Sequence, residues 1–154
     1  MKKNTIIFDL DGTLADITTR RILSTKDNGK MDWDKFFDPK NIVLDKPNTP
    51  VIKIAQMFKS QGFNIIIFSG RSKATKDATR NWLHAFDVPF DLLKMRPTDD
   101  HWHFMKDSDL KQFWLDDLFP NKDDIFAVFD DRQQVVDMWR QNGLTCFQVA
   151  DGDF

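Results

Sequence analysis

The sequence predicts an α/β fold, a Rossmann-like parallel sheet with helices on both faces. Three observations predict it. Short apolar runs rich in β-branched and aromatic residues alternate with helical patterns, the links between them are short, and acidic or small polar residues stand directly after three of the apolar runs. Residues 5–8, 63–68, 125–129 and 145–149 read as buried strands, and 91–95 as a weaker fifth. The first helix opens at Thr49-Pro50 with Asn48 or Thr49 as its cap. Its apolar residues Val51, Ile54, Ala55 and Phe58 keep the i, i+3, i+4, i+7 spacing up to Gln61, and Gly62 ends it. Further helices are expected over residues 74–86, over 107–118 before Pro120, and over 133–142, closed by Gly143. In such sheets ligands bind beyond the C-terminal strand ends.

Composition narrows the class. A chain of 154 residues, 41% of them apolar, suits one domain with one core, and 30% charged residues suit a water-facing surface. No apolar run reaches the roughly 20 residues that span a bilayer. Ile6-Ile7-Phe8 is too short for a signal peptide and runs straight into aspartates, so no membrane partner is expected. One cysteine, Cys146, excludes an internal disulfide and a Cys-rich zinc site and fits a reducing cytoplasm. A net charge of −2 excludes a general nucleic-acid coat, though local cations can still grip one strand end.

The chemistry gathers at the strand ends: Asp9 and Asp11 after the first, Ser69-Gly70-Arg71 after the second, Asp130-Asp131 after the fourth. Asp-x-Asp alone is a common solvated turn, Ser-Gly is ordinary turn chemistry and Asp-Asp caps helices. Three such groups on one rim, in order, point instead to a site that handles phosphate. Asp9 is placed to attack phosphorus and form an aspartyl-phosphate. Asp11 is placed to protonate the leaving oxygen and then take a proton from water. Gly12 permits the sharp turn and Thr13 helps hold the loop. Magnesium is the expected cofactor, held by Asp9, the Asp11 backbone carbonyl and Asp130, with Asp131 ordering its shell. Ser69 and the Gly70 amide are candidate donors to phosphoryl oxygens, and Lys111 a candidate to neutralise charge beside Asp9.

Asp9-Leu10-Asp11-Gly12-Thr13, Ser69, Lys111 and Asp130-Asp131 resemble the four motifs of the haloacid dehalogenase superfamily of phosphotransferases. The stretch Val128-Phe129-Asp130-Asp131-Arg132-Gln133-Gln134-Val135-Val136-Asp137-Met138-Trp139-Arg140, with Gly143 and the run from Gln148 to Phe154, is similar to the 3′-phosphatase domain of the bacteriophage polynucleotide kinase/phosphatase family. The resemblance covers nearly the whole chain and is loose over about 18–48, a small insert with little room for a cap domain. It implies substrate or phosphate contacts for Arg20 and Arg71, adds Thr13 to that set, and gives Asp107 a supporting place. Without it, Arg20-Arg21 reads as a solvated pair and Asp107 as a helix cap. Met95-Arg96-Pro97 matches a segment common in the family, whereas Asp100-His101-Trp102-His103-Phe104 stands where a basic position is usual.

What the resemblance implies is a single phosphatase domain over 1–154 that removes 3′-phosphates from DNA or RNA ends. The chain has no kinase phosphate loop, so it is expected to be either a free-standing phosphatase or an excised domain, with a separate kinase or ligase as a candidate partner and a cytoplasmic location (host cytoplasm if phage-encoded). The alternative is a small-molecule phosphatase or nucleotidase of the same chemistry. A phospho-accepting receiver module has little use for Asp11, Ser69 and Lys111 together. Trp33, Phe36 and Phe37 are expected to pack the insert onto the domain more than to stack on a base. His101 and His103 lack a third metal ligand nearby, and Trp82, Trp114 and Trp139 read as core.

Overall fold

The computed structural model describes residues 3–152; Met1, Lys2 and the Asp153-Phe154 end of the family-like C-terminal stretch lie outside the described residues. The chain begins with strand β1 (Thr5–Phe8). An insert follows: β2 (Ala15–Asp16), helices α1 (Thr18–Ser24), α2 (Trp33–Phe36) and α3 (Pro39–Ile42), and β3 (Lys46–Pro47). Then come α4 (Thr49–Ser60), β4 (Asn64–Ser72), a 3₁₀ turn (Lys73–Thr75), α5 (Lys76–Ala85) and β5 (Leu92–Arg96). The chain ends through α6 (Asp100–His103), α7 (Asp107–Leu118), a second 3₁₀ turn (Lys122–Asp124), β6 (Ile125–Asp130), α8 (Gln133–Gln141) and β7 (Cys146–Gln148).

Five strands form one parallel sheet in the order β5-β4-β1-β6-β7. Strand alternation sorts the core into two layers. Ile6 and Phe8 join Ile65, Ile67 and Phe129 under α4 and α5, where Val51, Ala55, Trp82 and Leu83 pack. Ile7 faces the other way with Ile66, Phe68 and Val128, against Leu110 and Trp114 of α7 and Val136 and Trp139 of α8. All three tryptophans expected in the core are buried, each worth about 2–3 kcal/mol relative to exposure. Chain direction across the sheet reverses at β1, because β4 and β5 are added on one side and β6 and β7 on the other. Such a switch point opens a crevice at the C-terminal strand ends.

Boundaries differ from the sequence reading where side chains compete for the backbone. Ser72 Oγ accepts from the Ala74 amide at 3.1 Å, so the expected 74–86 helix begins as a 3₁₀ turn and becomes α-helical only at Lys76. Strand β4 runs four residues past Phe68, carrying Ser69-Gly70-Arg71 inside a register slip against β5 rather than in a loop. The insert is ordered by pairing and packing. The antiparallel β2–β3 pair closes it, and its helix α3 packs on α5. Phe36 is buried under the Arg20 guanidinium, 4.3 Å from its ring centroid, while Trp33 stays 59% exposed and stacks on Phe37.

Candidate active site

Asp9 stands directly past β1, its amide donating to the Phe129 carbonyl of β6 at 2.9 Å. Lys111, one turn into α7, brings its Nζ to 2.7 Å from Asp9 Oδ1 and 3.1 Å from Asp130 Oδ2. Trp139 Nε1 donates to the same Asp130 oxygen at 3.1 Å, and the amides of Asp131 and Arg132 reach Asp130 Oδ1 at 2.9 and 3.3 Å. Thr13 Oγ1 lies 3.2 Å from Asp9 Oδ2 and 3.3 Å from Asp131 Oδ1. Thr13, expected among the phosphate or substrate contacts, is wholly buried and ties Asp9 to Asp131. Gly12 takes φ +86°, and a Cβ there would collide with the Asp131 carboxylate. The turn therefore requires glycine twice over.

This cluster holds three buried acids against one lysine. Burial, followed by the charge of Asp130, pushes the Asp9 carboxyl well above the usual carboxylate range despite Lys111. Burial raises Asp131 as well. Lys111 is raised in turn, because Asp130 and Asp9 outweigh the burial that would lower it. Carboxylate oxygens of Asp9, Asp130 and Asp131 lie within 4.8 Å of one another. Hard oxygen donors carrying excess negative charge are what a hard divalent cation takes, so these residues fit magnesium. Asp131, expected only to order the metal's shell, is itself a member of the cluster.

Asp11 sends its carboxylate elsewhere. Its Oδ1 accepts from Arg20 Nη2 at 2.8 Å and from Arg71 Nε and Nη2 at 2.8 and 2.5 Å. Both arginine side chains are without exposed surface, whereas the Asp11 side chain is 22% exposed. Arg20 and Arg71, expected to contact substrate phosphate, are found buried beneath Asp11 and holding it. Burial alone would raise the Asp11 carboxyl, but Arg71 and Arg20 bring it below the usual value. Beneath both arginines lies Asp45, from the insert, also fully buried.

A third group shapes the β4 end. Ser69 is buried, and its Oγ accepts from the Arg71 amide at 3.2 Å. Arg96 Nε donates to the Gly70 carbonyl at 3.0 Å, Nη1 to the Trp102 and Met105 carbonyls at 2.6 and 2.7 Å, and Nη2 to Asp107 Oδ1 at 2.6 Å. Arg132 donates to Asp107 Oδ2 at 2.9 Å. A Cβ at Gly70 would sit 2.5 Å from Asp107 Oδ1. Asp107 thus supports the Gly70 bulge from below. His101 and His103 are exposed on α6, and among the described residues the only His/Cys/Asp/Glu cluster fit for a metal is the Asp9 one. Beside the acidic cluster opens a groove of about 480 Å³, lined in part by Gly12, Asp16, Arg21, Asn48, Asp131 and Asp151.

Sequence reasoning missed Asp45, the bracing role of Arg96, and the indole N–H that fixes Asp130. Arg96 had a signal in Met95-Arg96-Pro97. Asp45 had none beyond being a lone acid after the apolar Ile42-Val43-Leu44.

The family model of the polynucleotide kinase PNKP phosphatase domain matches residues 3–154. The chain belongs to that family. It is a phosphatase of the haloacid dehalogenase superfamily, and the architecture agrees with the fold class expected from the sequence. A protein of the Autographa californica nuclear polyhedrosis virus, named as a bifunctional polynucleotide kinase/RNA ligase, is 35% identical over 149 residues, which cover 94% of this chain and 19% of the viral protein. A chain of the Pnkp1/Rnl/Hen1 RNA repair complex superposes with a TM-score of 0.78 at 35% identity, covering 99% of this chain and 44% of that one. A predicted phosphatase from Clostridium acetobutylicum, at 16% identity and a TM-score of 0.72, shares the fold over 96% of this chain and 85% of its own. The PNKP-type phosphatase thus spans a fifth to under half of the two longer relatives. No helix among its described residues is long and apolar enough to cross a membrane.

Proposed function

We propose that residues 1–154 form one phosphatase domain that removes 3′-phosphates from DNA or RNA ends, with magnesium and through an aspartyl-phosphate on Asp9. The observation that carries this reading is the Asp9 carboxylate, held by Lys111 at 2.7 Å in a cluster with Asp130 and Asp131, the last of which also lines the groove. The family match and the kinase, ligase and RNA repair names of the relatives support a nucleic-acid end as substrate and a working association with kinase or ligase activity, which we place in the cytoplasm.

Asp9 attacks phosphorus as the bond to the sugar oxygen breaks. Asp11 gives its proton to that oxygen, leaving a 3′-hydroxyl end. Asp11 then takes a proton from water, whose oxygen attacks the acyl phosphate and frees Asp9 and inorganic phosphate. Arg20 and Arg71 hold Asp11 ionised in the free protein. A dianionic phosphate arriving beside it favours its protonation through like charge. Lys111 offsets charge on Asp9, and the Gly70 amide is the candidate donor to phosphoryl oxygens. Asp9 and Asp130, with Asp131 beside them, would hold Mg²⁺, which when bound neutralises charge shared by nucleophile and phosphate.

The test is phosphate release with Mg²⁺ from a 3′-phosphorylated oligonucleotide, a 5′-phosphorylated one and a 3′-mononucleotide. Release confined to 3′-phosphates, faster on the oligomer and lost with Asp9→Asn or EDTA, is the expected result. Release from the mononucleotide alone would replace the end-repair reading with a nucleotidase.

A further inference from the structure

Asp45 lies just before β3, where the insert returns to the domain. Its carboxylate is buried without exposed surface and joins no part of the acidic cluster around Asp9. Oδ1 accepts from Arg20 Nε at 3.0 Å, and Oδ2 accepts from both Arg20 Nη2 and Arg71 Nη2 at 2.9 Å. Those same two Nη2 atoms donate to Asp11 Oδ1. The four atoms Asp45 Oδ2, Arg20 Nη2, Asp11 Oδ1 and Arg71 Nη2 therefore close a ring of alternating charge. Two guanidinium groups converging on one oxygen repel each other, and the second carboxylate in the ring is what lets them do so.

Three of the four corners are pinned from outside. Trp82 Nε1 donates to the Asp45 carbonyl at 3.0 Å, the Arg20 guanidinium lies over Phe36 and donates to its carbonyl at 3.1 Å, and Arg71 Nη1 donates to Thr79 at 3.1 Å. Only Asp11 shows any surface. We propose that Asp45 is a positioning residue for Asp11: it spaces Arg20 and Arg71 so that both grip Asp11 Oδ1 and turn the other oxygen toward the leaving group. The insert then serves the acid/base from beneath. This rests on the acid/base reading of Asp11 given above.

The consequence is selective. When the ester P–O bond breaks, its electron pair goes to the leaving oxygen. A sugar oxygen needs the Asp11 proton at that moment, whereas 4-nitrophenolate, a delocalised anion, departs without one. Misplacing Asp11 therefore slows sugar phosphates far more than 4-nitrophenyl phosphate. General damage to the fold slows both alike.

The experiment compares kcat/KM of wild type, Asp45→Asn, Arg20→Lys and Asp11→Asn on a 3′-phosphorylated oligonucleotide and on 4-nitrophenyl phosphate, with Mg²⁺ and a thermal melt of each variant. kcat/KM reports steps up to leaving-group departure and is blind to the later hydrolysis. Asp45→Asn keeps shape and one acceptor but loses the charge. It is expected to cost about 30-fold on the oligonucleotide, part of what general acid catalysis supplies, with a fall about tenfold smaller on the aryl ester. Arg20→Lys, which keeps charge but cannot bridge both carboxylates, is expected to show the same bias and decides the matter if Asp45→Asn melts below the assay temperature. Equal losses on both esters, or no loss on either, would overturn the inference while leaving the phosphatase reading intact. Equal losses in Asp11→Asn would instead remove the acid/base assignment, and the inference with it.

Discussion

Two buried charge clusters sit side by side at the sheet's C-terminal rim, and they are built on opposite principles. Around Asp9, three carboxylates face one lysine. Around Asp11, two carboxylates face two arginines in a closed ring. The first is charge-incomplete and therefore receptive to a cation. The second is charge-complete and needs nothing from outside. One short segment, Asp9-Leu10-Asp11 just past β1, feeds both: Asp9 meets Lys111, while Asp11 meets Arg20 and Arg71. Asp9 and Asp11, the proposed nucleophile and acid/base, stand in different electrostatic surroundings two residues apart, one carboxyl raised and the other lowered.

Substitutions in the two clusters should fail in different ways. Asp9→Asn removes the nucleophile, and we expect phosphate release to fall by about 10⁴-fold or more in a steady-state assay. It should melt at or above the wild-type temperature, since it subtracts charge from an overcrowded site. Arg20→Ala breaks the closed ring and strands two buried carboxylates, which should cost about 3–5 kcal/mol. For a chain of this length that amounts to about 6–20 °C in Tm by calorimetry, and adding Mg²⁺ should restore none of it. Lys111→Met is the sharpest contrast. Activity should drop by about 10²–10³-fold. Its lower Tm should recover with Mg²⁺, because a cation can replace the missing charge between Asp9 and Asp130. If Mg²⁺ rescued Arg20→Ala as well as Lys111→Met, the division between the clusters would collapse.

The incomplete cluster was legible in the sequence and the complete one was only half legible. Asp9, Asp130 and Asp131 follow apolar strands directly, so strand periodicity alone delivers them to one rim. Lys111 needed the helix over 107–118, whose limits match α7. Arg20 and Arg71 were picked out, but as residues facing phosphate, because burial of a guanidinium beneath the site is not written in local pattern. It depends on Asp45, which lies 25 residues from Arg20 and 26 from Arg71 and carries no motif. Arg96 shows the same limit: its position matched a familiar segment, yet that one guanidinium braces Gly70, the Trp102–Met105 turn and Asp107 is a tertiary fact. The start of the expected 74–86 helix moved because the Ser72 side chain competed locally for the backbone.

The smallest expected effect separates the clusters by pH. Asp9 and Asp131 have folded-state values raised above those of the unfolded chain, where a carboxyl sits near about 3.9. A raised acid contributes stability that is full below the unfolded value and is lost as pH climbs through the folded one. Asp45, pushed up by burial to about 6, titrates in the same direction. Asp11 is lowered, so its contribution is present above the unfolded value and lost only in stronger acid, below the working range. The metal-free protein should therefore melt a few degrees lower at about pH 8 than at about pH 5. Mg²⁺ prefers the ionised carboxylates around Asp9, so its stabilisation should be largest at the higher pH and nearly absent at the lower. Mg²⁺ should recover the share lost by Asp9 and Asp131 and leave the share of Asp45 untouched, and that remainder should vanish in Asp45→Asn. A Mg²⁺ increment independent of pH would mean that the cation binds away from the raised carboxyls, and the incomplete cluster would lose its claim to the metal.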